Sequence, residues 1–177
     1  MTQKTGKGLV QVFTGNGKGK TTAAVGAIVR AAGHGLKVYL VSFMKGKYAY
    51  GEYKTLSQLP NIEMAQFGLR KLTDPSNIKA AEKEQARAAL AAARKAVVSG
   101  DYDLVVLDEV NVALGYNLIE PDEVIKLIRD KPPHVELILT GRYADNKLLE
   151  IADLVTEMVK VKHPFDAGVK ARKGIEY

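Results

Sequence analysis

Val10-Gln11-Val12-Phe13-Thr14-Gly15-Asn16-Gly17-Lys18-Gly19-Lys20-Thr21-Thr22 decides the fold of this chain. Val10–Phe13 reads as a short buried strand, and from Thr21 an alanine-rich helix runs through Ala31 to a stop at Gly33 and Gly35. Between them lies a loop of small residues, in which successive backbone N–H groups can face phosphate oxygens. A lysine adds positive charge, and the hydroxyl after it is suited to Mg²⁺. Gly19-Lys20-Thr21 fits the end of that pattern. The standard spacing asks for a glycine at position 14, where Thr14 stands, so Gly15 begins a loop that is one residue short. Lys18 and Lys20 at a helix N-terminus oppose the helix dipole unless an anion is bound. The stretch Gly15–Thr22 is therefore expected to hold the triphosphate of a nucleotide.

Outward from the loop, strands and helices alternate. Strands are expected over Lys37–Phe43, Ile62–Gln66, Asp103–Leu107, His134–Thr140 and Leu154–Val161. His134, after Pro132-Pro133, marks the loop end of its strand. Helices are expected near Glu52–Leu59, over Asn77–Val98 with Gly100 as the stop, over Pro121–Arg129 with proline in first place, and over Asn146–Ala152. Mostly continuous apolar strands alternating with helices imply an α/β fold: a P-loop NTPase-like parallel sheet with helices on both faces. Its ligands bind at the carboxyl ends of the strands.

The 177 residues suffice for one domain spanning 1–177 with its own core. No apolar run approaches the ~20 residues that span a bilayer, and Met1-Thr2-Gln3-Lys4 leads into no apolar signal segment. There is no cysteine, which excludes disulfides and thiolate metal sites and suits a cytoplasmic chain. The net charge of +6 is compatible with nucleic acid or with a polyphosphate. The basic residues are dispersed and not clustered on one run, so neither a nucleic-acid nor a membrane partner is expected.

Asp108-Glu109 ends the clearest apolar strand, the place from which a P-loop protein holds Mg²⁺. Thr21, Asp108 and Glu109 are the expected metal-site residues. His34, His134 and His163 have no ligand-like spacing.

The loop Gly15–Thr22, Phe43-Met44-Lys45-Gly46, Asp108-Glu109, Thr140-Gly141-Arg142 and the closing stretch from Lys162-His163-Pro164-Phe165-Asp166-Ala167-Gly168-Val169-Lys170-Ala171 to Tyr177 together resemble the P-loop type of corrinoid adenosyltransferase. Order and spacing match from about Gly8 to Tyr177. The resemblance implies transfer of the 5′-deoxyadenosyl group of ATP to the cobalt of a reduced corrinoid, with release of triphosphate, in cobalamin biosynthesis or salvage. It further implies a homodimer, Mg²⁺ or another divalent cation, an electron-donor protein such as a flavodoxin, and ATP lying reversed relative to ordinary P-loop hydrolases. Cobalt in its +1 state is then the nucleophile, so no side chain has to be one.

Carried over by position, the resemblance puts ATP on Gly15, Asn16, Gly17, Lys18, Gly19, Lys20, Thr21 and Thr22, with Lys45, Glu109 and Arg142 around it. Lys18 and Lys20 stabilise the leaving group. Relatives displace the lower cobalt ligand with an aromatic pair that includes a tryptophan, and this chain has no tryptophan. Phe67 with Leu69 or Leu72 stands in the corresponding loop, and Asp166 is a further corrinoid-side candidate. The chain before Gly8 is short, so the N-terminal cover of relatives is expected to be missing.

Two other readings use the same loop. One is a phosphotransferase or ATPase that moves the γ-phosphoryl group and leaves ADP. The other is a nucleotide-dependent nucleic-acid-binding module. The loop assignment itself rests on Lys20. Replacing it by alanine (Lys20→Ala) should lower turnover about a hundredfold or more while the far-ultraviolet circular dichroism stays that of the parent. Full turnover in the variant would refute the loop assignment.

Overall fold

In the computed structural model of this chain, which describes residues 6–46, 48, 50–71 and 73–177, six strands form one parallel sheet. Leu72 and residues 1–5 lie outside the described residues. In chain order the elements are β1 (Val10–Thr14), α1 (Lys20–Gly33), β2 (Val38–Ser42), α2 (Gly51–Leu56), β3 (Ile62–Gln66) and α3 (Ala80–Ser99). Then follow β4 (Leu104–Asp108), α4 (Val110–Gly115), α5 (Pro121–Arg129), β5 (Glu136–Thr140), α6 (Asn146–Ile151) and β6 (Leu154–Glu157). A 3₁₀ turn, Pro164–Ala167, precedes the C-terminus.

The sheet order is β3-β2-β4-β5-β1-β6, with every neighbouring pair parallel. Successive side chains of a strand face opposite sides of the sheet, so a strand covered on both faces must be apolar throughout. β4 obeys this. Val105 and Leu107 join one core with Val12, Val41, Leu137 and Leu139 under α3 to α6. Leu104 and Val106 join a second core with Phe13, Leu40 and Ile138 under α1 and α2. Helices therefore lie on both faces, as the alternation predicts.

The differences from expectation are local. α4 was not foreseen: Asn111 and Gly115 are poor helix formers, and six residues directly after a strand show no periodicity. α3 starts at Ala80, three residues later than expected. The strand expected from His134 begins at Glu136. Val135 N bonds Pro132 O at 3.1 Å, turning the chain there, and the His134 ring bonds Gly100 O at 3.0 Å.

β6 ends at Glu157 and not at Val161. Met158 still donates to Thr14 O at 2.8 Å, but its own carbonyl accepts Gly17 N at 2.6 Å. The chain leaving β6 is thus attached to the loop after β1, and a Val161-to-Val159 bond of 3.2 Å then bends it away.

That attachment explains two glycines. A Cβ on Gly15 would stand 2.6 Å from Met158 O, and one on Gly17 would stand 2.6 Å from Met158 O and 2.7 Å from Val159 O. Both obstacles are backbone and cannot rotate aside. Gly17→Ala should therefore lower the unfolding free energy by about 1–3 kcal/mol, the usual cost of overpacking, seen as a lower urea midpoint. An unchanged midpoint would mean that this contact is loose.

Candidate active site

Four strand ends meet at the carboxyl edge of the sheet: β1 opens into the loop, β2 into Phe43–Gly46, β4 into Glu109 and β5 into Gly141-Arg142. They enclose a cavity of about 480 Å³ whose lining includes Gly17, Lys18, Gly19, Lys20, Thr21, Thr22, Lys45, Glu109 and Arg142. This size suits a nucleotide-sized ligand. The remaining lining comes from Phe43, Met44, Tyr50, Thr73, Val112, Tyr116 and Tyr143, and from His163, Ile175 and Glu176 of the C-terminal segment.

Asp108 organises the centre. Its Oδ1 accepts hydrogen bonds from Thr21 Oγ1 at 2.9 Å and Thr140 Oγ1 at 2.7 Å. Its Oδ2 is paired with Lys45 Nζ at 2.6 Å. Both side chains of this pair are buried, 12% exposed for Lys45 and 2% for Asp108. Burial opposes the Lys45 charge, but the Asp108 carboxylate and its hydrogen bond outweigh that and hold the ammonium above its ordinary range. The same ammonium lies 5.0 Å from the centre of the Tyr50 ring.

Lys20 turns inward, donating to Gly15 O at 2.8 Å and Gly17 O at 2.6 Å. Burial first, then the nearby Arg142, lowers its pKa, with Glu109 pulling the other way. Lys18 turns outward, to the C-terminal segment. The amide of Gly17 is taken by Met158 O. Gly15 and Asn16 lie outside the lining.

Glu109 is held in the left-handed region at φ 64°, at the start of α4, with its amide bonded to Thr140 Oγ1 at 3.0 Å. Burial, then the neighbouring Asp108 charge, raises its carboxyl pKa; Lys45, Lys20 and Arg142 pull against that rise. Its carboxylate accepts no hydrogen bond from a described residue. Met44 and Tyr143 also have positive φ and also line the cavity. Of the four described non-glycine residues with positive φ, three are thus at this site. Strain of that kind collects where a ligand is held.

The sequence-expected residues divide. Lys18, Lys20, Thr21, Thr22, Lys45, Glu109 and Arg142 are brought together. Asp108 lies behind Thr21, with both carboxylate oxygens engaged. Phe67 packs against the core, and its carbonyl accepts Lys45 N at 3.0 Å. Leu69 lies in an adjoining crevice that shares Met44 and Thr73 with the cavity. Asp166 is paired with Lys160 at 2.9 Å and does not reach the cavity. Leu72 is outside the described residues. Sequence reasoning did not single out Val112, Tyr116 and Tyr143. Val112 and Tyr116 belong to the unforeseen α4 region, and the Tyr116 and Tyr143 rings stand 6.0 Å apart.

Residues 6–177 match the family described as ATP:corrinoid adenosyltransferase BtuR/CobO/CobP. Among similar proteins is the corrinoid adenosyltransferase of Escherichia coli, 39% identical over 171 residues, covering 97% of this chain and 86% of the relative. That of Pseudomonas aeruginosa is also 39% identical, with 97% and 84% covered. The corrinoid adenosyltransferase CobA of Salmonella typhimurium is 39% identical, with 97% and 86% covered.

Removing one member of a buried ion pair leaves the other charge without compensation. Lys45→Met should cost the ligand-free protein roughly 3 kcal/mol of stability, measured by urea unfolding at neutral pH. A cost well under 1 kcal/mol would show that water already satisfies Asp108.

Proposed function

This chain belongs to the ATP:corrinoid adenosyltransferase family, and from that we propose that its cavity carries adenosyl transfer from ATP to a reduced corrinoid. The observation that carries the reading is that the two sequence features most diagnostic of it share one cavity. Lys18 of the loop bonds Ile175 and Glu176 of the closing segment, 157 and 158 residues away. The γ-phosphoryl-transfer and nucleic-acid-binding alternatives are not favoured by the family match.

In this reaction the cobalt lone pair of the +1 corrinoid attacks the 5′ carbon of ATP. A cobalt–carbon bond forms, the carbon–oxygen bond to the triphosphate breaks, and triphosphate leaves with the bonding electrons. The protein has then to hold the 5′ carbon in line with cobalt and to stabilise the polyanion that departs. Lys18, Lys20 and the loop N–H groups after Gly17 suit the triphosphate. Lys45 and Arg142 add positive charge around it, and Tyr50, Tyr116 and Tyr143 offer apolar faces to the rest of the substrates.

Mg²⁺ fits the residues present. The Thr21 hydroxyl donates its proton to Asp108 and so has lone pairs left for a cation, and the Glu109 carboxylate at the cavity wall accepts no hydrogen bond from a described residue. Mg²⁺ is commonly held by one or two protein oxygens together with substrate phosphates, and no cage of three or more His, Asp or Glu occurs among the described residues. Thr21 and Glu109 would hold it, with Asp108 acting through Thr21. Such a cation supplies positive charge to the leaving triphosphate.

The reading entails a reductant, an electron-donor protein such as a flavodoxin, and a homodimer. Support for a docked second copy comes from β6, an edge strand that exposes Leu154 and Val155, and from the exposed Val159, Val161 and Phe165 beyond it. Among the described residues no helix is long and apolar enough to cross a membrane.

Chemically reduced corrinoid, ATP and the protein, combined under dim light, should yield adenosylated corrinoid and triphosphate in equal amounts. Formation of ADP and phosphate without a cobalt–carbon bond would overturn the proposal.

A further inference from the structure

The two lysines of the loop are satisfied differently. Lys20 bonds loop carbonyls, whereas Lys18 reaches across the cavity mouth to an anion supplied by the chain itself. Its Nζ lies 3.0 Å from Glu176 Oε1 and 3.3 Å from Ile175 O. Glu176 does not wander to that position. Arg172 N donates to its Oε2 at 2.7 Å, Arg172 Nε to Oε2 at 3.2 Å, and Arg172 Nη2 to Oε1 at 2.9 Å. The turn beneath is closed by Glu176 N to Arg172 O at 2.9 Å and Gly174 N to Tyr177 O at 2.7 Å. These bonds, the Arg172 side chain's first, hold the carboxyl at about 2, so it is ionised at any working pH.

The tail from Lys170 to Lys173 is otherwise basic, so one acid meeting the loop lysine is a specific arrangement. Triphosphate and Glu176 thus offer the same lysine the same kind of ligand, an anionic oxygen.

We propose that Glu176 is an internal competitor for the phosphate site: its carboxylate takes Lys18 whenever triphosphate does not, and so promotes departure of the leaving group. This rests on the adenosyl-transfer reading, in which the whole triphosphate must leave. A polyanion gripped by two lysines and a divalent cation dissociates slowly unless its contacts can be replaced one at a time. An anion already tethered at the rim replaces one of them without a second molecule having to bind. The Lys18 side chain is 46% exposed, so water screens the pair and its effect is modest.

The test uses inorganic triphosphate as the probe and calorimetry as the readout. Glu176→Gln should bind it roughly two- to fivefold more tightly than the parent, and the gain should vanish when Lys18→Gln is also present. In the parent, hydrogen exchange at the Arg172 amide, which Glu176 Oε2 covers, should accelerate when triphosphate is added. Unchanged or weaker binding by Glu176→Gln, a gain that persists without Lys18, or an Arg172 amide indifferent to triphosphate would each overturn the proposal. The tail proposal then falls alone if the parent still binds triphosphate. Absence of any triphosphate binding by the parent would remove the adenosyl-transfer reading together with it.

Discussion

One buried carboxylate holds the working end of this protein together. Asp108 ends the central strand β4 and is reached by three donors from three other segments: Thr21 at the start of α1, Thr140 at the end of β5, and Lys45 after β2. A carboxylate taken from water needs hydrogen bonds and a counter-charge, or its desolvation exceeds what attraction returns. Here both requirements are met, and two of the three groups, Thr21 and Lys45, also line the cavity. The positions of the loop helix, the β2 extension and the β5 turn are therefore mutually dependent.

A second constraint comes from backbone proximity. The loop after β1 lies against the chain leaving β6 so closely that Gly15 and Gly17 have no room for a Cβ. The glycines of the loop are commonly read as openings for phosphate. In this chain the first of them serve packing, and Gly17 gives its amide to Met158. Gly15 and Asn16 thereby stay out of the cavity, which Gly17 to Thr22 line. The same contact brings the C-terminal segment to the loop, so both ends of the sequence shape one site.

The chemistry suits such a division. The reaction needs no protein nucleophile, and the residues are spent on charge. An inward lysine stiffens the loop and an outward lysine meets anions. A glutamate held in strained backbone at the cavity wall accepts no hydrogen bond from a described residue. The strain at Met44, Glu109 and Tyr143 is what a preorganised site costs, offset by the packed sheet beneath it.

Much of this was legible in order along the chain. The apolar run Val10–Phe13 before glycines and lysine, the run Leu104–Leu107 before Asp108-Glu109, and the alternation of strands with helices all follow from short-range periodicity. Together they determine a parallel α/β sheet with a phosphate loop at its carboxyl edge. The closing segment to Tyr177 pointed to the same family. What the sequence could not contain was the partner of each polar group. That Asp108 is engaged by Lys45, that Asp166 turns to Lys160, and that Phe67 serves the core depend on distances between segments far apart in sequence. α4 escaped for a related reason: its six residues are held by burial against β5 and not by their own propensity. Local pattern determined which elements exist and which ends carry charge. Tertiary structure alone decided which charges meet, because hydrogen bonds and ion pairs are set by through-space distance.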